Sequence, residues 1–329
     1  MSMSRFAACV SAAAVLASAG LVAGSAAAAD VPAPVTLPGT LLGSAVDGNL
    51  AVWTPATGAR KVLAVKGYNR IVDGKFSPDG KRVAFSKNAT GGMSQRDIFT
   101  VPAAGGAQTR VTTSASKEVW PTWSPDGKKL AFYSDRDNRD NIYLLNSVAP
   151  FGAVVPVTNS SSPARRDGVC AGYTSESYDK PPVWRPGSQE IAVRGYCTTA
   201  SASVSVAATV TPAGTLARTI ASGPVPGPGW VVADWSVDGT KAVLVDRLAS
   251  RLAIYTVATK ATKVILNKDP GSGFAPESVV LSPDGKWIAA ASSVDTTSTL
   301  YPVAGGAPMR LPGRSASARP YGAGAHTLR

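Results

Sequence analysis

Histidine is almost missing from this chain of 329 residues; the single one is His326, close to the C-terminus. A Ser-His-Asp triad would therefore have to be assembled on the tail, which argues against hydrolysis of that kind. No Gly-x-Ser-x-Gly elbow follows residue 29 to supply a nucleophile. Cysteine is as scarce: Cys9, Cys170 and Cys197 are all the chain has. One histidine and two late cysteines cannot furnish the three or four nitrogen and sulfur ligands of a zinc site. Charged residues make up only 16% of the chain and form no long block of one sign. Beyond the N-terminus no stretch approaches the roughly 20 apolar residues of a membrane span. Helical periodicity is also lacking after residue 29, which leaves strands to carry the fold.

The N-terminus reads as an export signal covering residues 1–29. Arg5 gives a positive start, Phe6 to Ala23 an Ala/Val/Leu run, and Ala26-Ala27-Ala28 an A-x-A cleavage site. Residues 30–35, with Val31-Pro32-Ala33-Pro34, read as a short tether, and 36–325 as one domain. Secretion to the cell envelope is the expected location, as a monomer with no transmembrane segment in the mature chain. There Cys170 and Cys197 would form one disulfide. The 33 Lys+Arg against 21 Asp+Glu leave a sparse basic excess of +12. It favours anionic neighbours such as wall polymers or an envelope protein. Nucleic acid is not expected, since export removes the chain from it and no nucleic-acid motif occurs.

What the chain does have is one stretch used again and again. Phe76-Ser77-Pro78-Asp79-Gly80-Lys81-Arg82-Val83-Ala84-Phe85 recurs as Trp123-Ser124-Pro125-Asp126-Gly127-Lys128-Lys129-Leu130-Ala131-Phe132 and as Leu281-Ser282-Pro283-Asp284-Gly285-Lys286-Trp287-Ile288-Ala289-Ala290. Worn copies begin at Trp184, with Pro186-Gly187-Ser188, and at Trp235, with Val237-Asp238-Gly239. Pro pre-sets φ near −65°, Asp bonds back to the local backbone and Gly takes a positive φ, so each copy reads strand–turn–strand. The runs after the turn are nearly all apolar, as in a strand covered on both sides. Each hairpin (strands A and B) is followed by an outer pair (C and D), and a sixth outer pair, Asn49–Trp53 with Arg60–Val65, precedes the first hairpin. Steps near 50 residues fit four-stranded propeller blades. The first blade lacks its inner strand; Val35-Thr36-Leu37 or the tail around Ala318-Arg319-Pro320-Tyr321 could supply it, and the tail is the favoured choice.

These repeats, with Tyr133-Ser134-Asp135-Arg136-Asp137 and Asn141-Ile142-Tyr143 after the second copy, resemble those of TolB-type, WD-like β-propellers over roughly residues 40 to 311. The resemblance implies an all-β, six-bladed propeller of four-stranded antiparallel blades, usually a binding module. Some relatives carry the propeller fused to a hydrolase domain. A non-enzymatic binding or scaffolding role is therefore the expectation; the alternative is a propeller enzyme, a lactonase or a glycan-active hydrolase or lyase. No catalytic residue and no cofactor is assigned. Asp135, Asp137 and Asp140 offer a calcium loop as the one metal reading, against a solvated B–C loop. A carboxylate pair for glycoside hydrolysis depends on a spacing that sequence does not show. The apolar residues before each turn (Phe76, Trp123, Trp184, Trp235, Leu281) read as core between blades.

In such a blade the A–B and C–D turns share one face of the disc, and the B–C loops and D–A links the other. The first face is uniform, with Lys81, Arg82, Lys128, Lys129, Lys241 and Lys286 partly balanced by turn aspartates. The second holds the one large insertion, Asn159 to Pro182. It contains Arg165, Arg166, Tyr173, Glu176, Tyr178 and Lys180, the charge and aromatic mixture of contact surfaces. A Cys170–Cys197 disulfide would hold it there, with Arg136 and Trp230 on neighbouring links completing the surface.

Overall fold

In this computed structural model the described residues are 41–44, 47–54, 59–65, 71, 73–88, 95–138, 140–158, 169–170, 175–177, 180–224, 229–246, 250–267, 276–282, 284–292 and 298–310. All regular structure among them is β, arranged as six antiparallel sheets in chain order. The first has three strands, β1 (Leu41–Ser44), β2 (Leu50–Thr54) and β3 (Ala59–Ala64). The second is β4 (Lys75–Phe76), β5 (Arg82–Lys87), β6 (Asp97–Pro102) and β7 (Thr109–Arg110). The third is β8 (Glu118–Trp123), β9 (Lys129–Ser134), β10 (Asn141–Asn146) and β11 (Val155–Pro156). In the fourth, β12 (Ser175–Ser177) and β13 (Val183–Trp184) both pair with β14 (Ile191–Thr198), followed by β15 (Ser203–Val210) and β16 (Leu216–Pro224). The fifth is β17 (Val231–Trp235), β18 (Lys241–Asp246), β19 (Arg251–Thr256) and β20 (Ala261–Asn267). The sixth is β21 (Pro276–Leu281), β22 (Trp287–Ser292), β23 (Ser298–Pro302) and β24 (Met309–Arg310). Strands β4, β8, β13, β17 and β21 touch one another in sequence, so the A strands converge on a common axis and the blades radiate from it. This is the propeller of four-stranded blades that the repeat spacing anticipates. Both segments considered for closing the first blade lie outside the described residues.

The repeated turn owes its shape to one hydrogen-bonded pair. In four copies the Ser hydroxyl donates to the turn Asp, Ser77 to Asp79, Ser124 to Asp126, Ser236 to Asp238 and Ser282 to Asp284, at 2.5–2.6 Å. The same Ser oxygen accepts the amide five residues on, from Arg82, Lys129, Lys241 and Trp287, at 2.9 Å. Each Asp also accepts the amide two residues on, at 3.0–3.1 Å. Gly80, Gly127, Gly239 and Gly285 all sit at φ of 67–69°, a region closed to most side chains. In the fourth sheet the positive φ moves one residue earlier, to Gly187. Ser188 takes over the local acceptor role, receiving the Glu190 amide at 2.9 Å, while Arg185 N–H to Glu190 C=O still closes the hairpin at 2.9 Å.

Strands B and C are buried almost end to end, as in the Arg82–Lys87 and Lys241–Asp246 strands. Each blade has two apolar faces, and its neighbours cover them. Phe76, Trp123, Trp184, Trp235 and Leu281 are all buried, as their position before the turn implies. Polar latches add direction to this packing. Trp123 Nε1 donates to the Lys75 carbonyl of the preceding blade at 3.0 Å. Arg82 stacks over Trp123, 4.5 Å from the ring centre, and donates to Ser147 C=O at 2.9 Å. Arg185 repeats the device one pair of blades on, stacking over Trp235 and donating to Gly239 C=O at 2.8 Å. The turn-face cations are thus of two kinds, with Lys81 and Lys128 exposed while Arg82 is tied into the blade contact.

The turn hydrogen bonds hold Asp79, Asp126 and Asp284 below the usual carboxylate range and bring Asp238 down to about 2. For a depressed carboxylate the added stability is complete above its unfolded value, about 3.9, and disappears as pH falls through its folded value. Urea midpoints should therefore fall steeply between about pH 4 and pH 2. Asp126→Asn should flatten that fall, and an unchanged acid limb in the variant would show that the turn carboxylates do not set it.

Candidate functional site

The insertion is stitched to strand β14 of the fourth blade in two ways. Cys170 and Cys197 are disulfide-bonded with Cα atoms 5.4 Å apart, and both are fully buried. The Cα spacing lies within the range that disulfides span. Beside it, β12 adds an unforeseen short strand to β14, placing Glu176 opposite Cys197. Gly195, also on β14, makes the room. A Cβ there would lie 2.8 Å from Val169 Cγ1 and 3.2 Å from Cys170 Sγ. Bridge and strand meet the large cluster between the third and fourth blades, with Tyr133, Trp184, Ile191 and Val206. Arg165, Arg166, Tyr173 and Tyr178 lie outside the described residues. The Glu176 backbone is described, its side chain is not, and Lys180 is half-buried just before β13.

Arg136 serves the interior more than the surface. Its guanidinium bonds the Glu118 carboxylate, whose side chain is fully buried, and lies 4.8 Å from the Tyr143 ring centre. Burial outweighs this pairing and pushes the Glu118 carboxyl upward. Trp230 is half-buried under Arg251, 5.2 Å from its ring centre, and Arg251 bonds the fully buried Asp246 carboxylate at 2.7 Å. Asp97 with Arg110, at 2.7 Å, is the same arrangement in the second blade. A buried carboxylate sealed by a half-exposed arginine therefore recurs in the second, third and fifth blades, at the start of strand C, the start of strand A and the end of strand B.

The acids of the B–C loop point apart. Asp135 accepts the Lys117 amide at 2.8 Å, Asp137 accepts the Tyr143 hydroxyl, and Asp140 accepts the Tyr133 hydroxyl. Burial, with the Asp137 hydrogen bond, raises the Tyr143 hydroxyl well above its usual range. Among the described residues no three His, Cys, Asp or Glu side chains gather as a metal group. On the same face Trp120 packs against Tyr133, ring centres 5.2 Å apart, with Lys117 Nζ 5.3 and 5.8 Å from the two rings. Trp120 has φ of 58°, an outlier for a bulky residue, at a bulge where its amide is held by Asp73 at 2.8 Å.

Sequence reasoning passed over the axis. The residue two before each turn serine or its equivalent is Lys75, Thr122, Val183, Asp234 or Val280, and all five are half-buried. Since their strands meet at the axis, they form a ring around the channel. Asp234 accepts the Leu281 amide of the next blade at 2.9 Å, as Asp73 does that of Trp120. Aligning the five copies would have exposed the ring, since Lys and Asp stand where the others have Thr or Val.

Comparison with known proteins supports the architecture. Residues 45–168 match the family model described as the TolB beta propeller domain. The fold is a β-propeller, and the match covers the first part of it. TolB from Acinetobacter baumannii superposes with TM-score 0.59 at 17% identity, covering 87% of this chain and 64% of that one. A chain of a nidogen/laminin complex gives 0.62 at 14% identity, covering 87% and 97%. An oligogalacturonate lyase in complex with manganese gives 0.53 at 16% identity, covering 77% and 70%. This propeller thus spans less than two thirds of the TolB chain, and its structural neighbours include both a binding protein and an enzyme. No curated protein matches it in sequence. Among its described residues no helix is long and apolar enough to cross a membrane.

Loss of the bridge from this propeller, by Cys170→Ser with Cys197→Ser, should lower unfolding free energy by about 3 kcal/mol, given the 27-residue separation. Gly195→Ala should cost about 1–3 kcal/mol through overpacking. Denaturation curves under non-reducing conditions test both; an unchanged midpoint for Gly195→Ala would show that β14 yields freely.

Proposed function

We propose that this chain is an exported, non-enzymatic propeller that binds an envelope protein or an anionic envelope polymer through its B–C and D–A face. The observation that carries the reading is the covalent anchoring of the insertion. The chain's largest interruption of the repeat is fastened to β14 by a buried disulfide and an added strand. A loop fixed at both ends loses less entropy when it binds, so it can present Arg165, Arg166, Tyr173, Glu176, Tyr178 and Lys180 with little ordering cost. The buried carboxylates of the blades are engaged by arginines, which suits structure more than proton transfer. The reading invokes no cofactor and a monomer. Export is supported by the N-terminal pattern and by a disulfide, which persists in oxidising compartments.

The test is retention of solubilised envelope proteins, and separately of polygalacturonate, on the immobilised chain from residue 30. Arg165→Ala with Arg166→Ala should weaken retention about tenfold or more. Lys81→Ala with Lys128→Ala should leave it unchanged. The reverse pattern would move the binding surface to the turn face. Turnover of lactones or acidic glycans by the purified chain would replace the binding reading with the enzymatic one.

A further inference from the structure

The channel ring holds a separated pair of opposite charges. Lys75 comes from the second blade and Asp234 from the fifth, three blades apart around the axis. The two feel one another electrostatically, yet Lys75 makes no direct hydrogen bond or ion pair through its ammonium. Asp73, the weaker of the two acidic influences on Lys75, is already occupied. It accepts the Ser86 amide at 2.9 Å, the Ser86 hydroxyl and the Trp120 amide at 2.8 Å. Asp234 spends one oxygen on Leu281 N–H. Thr122, beside Lys75 in the ring, has a hydroxyl with no protein partner. Val183 and Val280 complete the described part of the ring as apolar wall. Burial pushes the Lys75 ammonium down and the Asp234 carboxyl up, the expected cost of a buried ammonium without a direct partner and a buried carboxylate held by a backbone amide alone.

We infer that the channel ring is a binding site for a small zwitterion of the α-amino acid class. Its carboxylate would lie against Lys75 and Thr122, its ammonium against Asp234 and its side chain against Val183 and Val280. Incompletely partnered charges in a half-buried setting gain most from a ligand that satisfies both at once. A simple anion would neutralise Lys75 and leave Asp234 uncompensated; a simple cation would do the converse. The site is separate from the insertion face, so Arg165→Ala with Arg166→Ala should not affect it.

Calorimetric titration of the chain from residue 30 with L-alanine, D-alanine and glycine, against acetate and methylammonium, tests this. At least one amino acid should bind, with both single-charge probes weaker by about tenfold or more. Lys75→Met and Asp234→Asn should each weaken binding by about tenfold. Thr122→Val, a milder change, should weaken it by about threefold and guards against failure of the charge variants to fold. In the unaltered chain, L-alanine should slow reductive methylation of Lys75, read by peptide mass spectrometry. No binding of any of the three amino acids up to about 10 mM would overturn the inference and leave Lys75 and Asp234 as an internal charge balance. Acetate binding as tightly as alanine would overturn it in favour of an anion site.

Discussion

A blade whose strands B and C are buried from end to end cannot exist alone, because both faces of its sheet are apolar. That constraint organises the molecule. Each sheet must lie between two others, and a radial arrangement does this with A strands meeting at the axis. The apolar residue before each turn fills the wedge where two blades are closest, which explains why Phe, Trp and Leu all serve there. Apolar contact alone leaves neighbouring blades free to slide. The Trp123 indole, the Arg82 and Arg185 guanidiniums and the Asp73 and Asp234 carboxylates each bond to backbone of an adjacent blade, so they fix the stagger. These are single bonds of about 1 kcal/mol, more where charged. Their part is to choose one registration among packings of similar apolar content.

The fold was legible because its signal is local and repeated. Ser-Pro-Asp-Gly encodes a turn through its own hydrogen bonds, and five copies in register left little freedom. The turn at Trp184 shows how far the code bends. Gly187 supplies the positive φ one position early, and Ser188 replaces the Asp acceptor, yet the closing backbone bond survives. The Cys170–Cys197 pairing was legible for a different reason, since two cysteines remain once residues 1–29 are read as an export signal, and they leave one choice. Its neighbours were not. The need for glycine at 195 and the added strand β12 arise from contacts between segments far apart in sequence, and no local pattern encodes them.

Site residues fared unevenly for the same physical reason. Arg136 reads as a surface cation in sequence because its loop is polar. Its partner Glu118 belongs to the preceding strand, and only the fold shows that the pair seals a blade interior. Trp230, similarly, reads as an exposed aromatic on a link, and Arg251 covers it. The Asp135–Asp140 run looks like a cluster because its acids are close in sequence; two tyrosine hydroxyls and a backbone amide draw them in different directions. The four residues Arg165, Arg166, Tyr173 and Tyr178 lie outside the described residues.

The two polar systems of the disc follow different rules because they face different surroundings. Within single blades, buried carboxylates are capped by arginines that keep part of the guanidinium in water, with 22–35% of the side chain exposed. That arrangement gives each acid a charged partner, although a second oxygen of Asp97 and of Glu118 stays buried without a hydrogen bond, and it limits the desolvation of the cation. At the axis Lys75 and Asp234 come from different blades and form no ion pair with each other among the described residues. They are kept apart by the geometry of opposed blades, whereas each capping Arg and its acid belong to one blade and can close on each other. A charge within one blade is therefore quenched by the fold itself. A charge at the axis is left for whatever enters the channel, whether water or a ligand, and this is the physical basis on which the two regions divide structure from recognition.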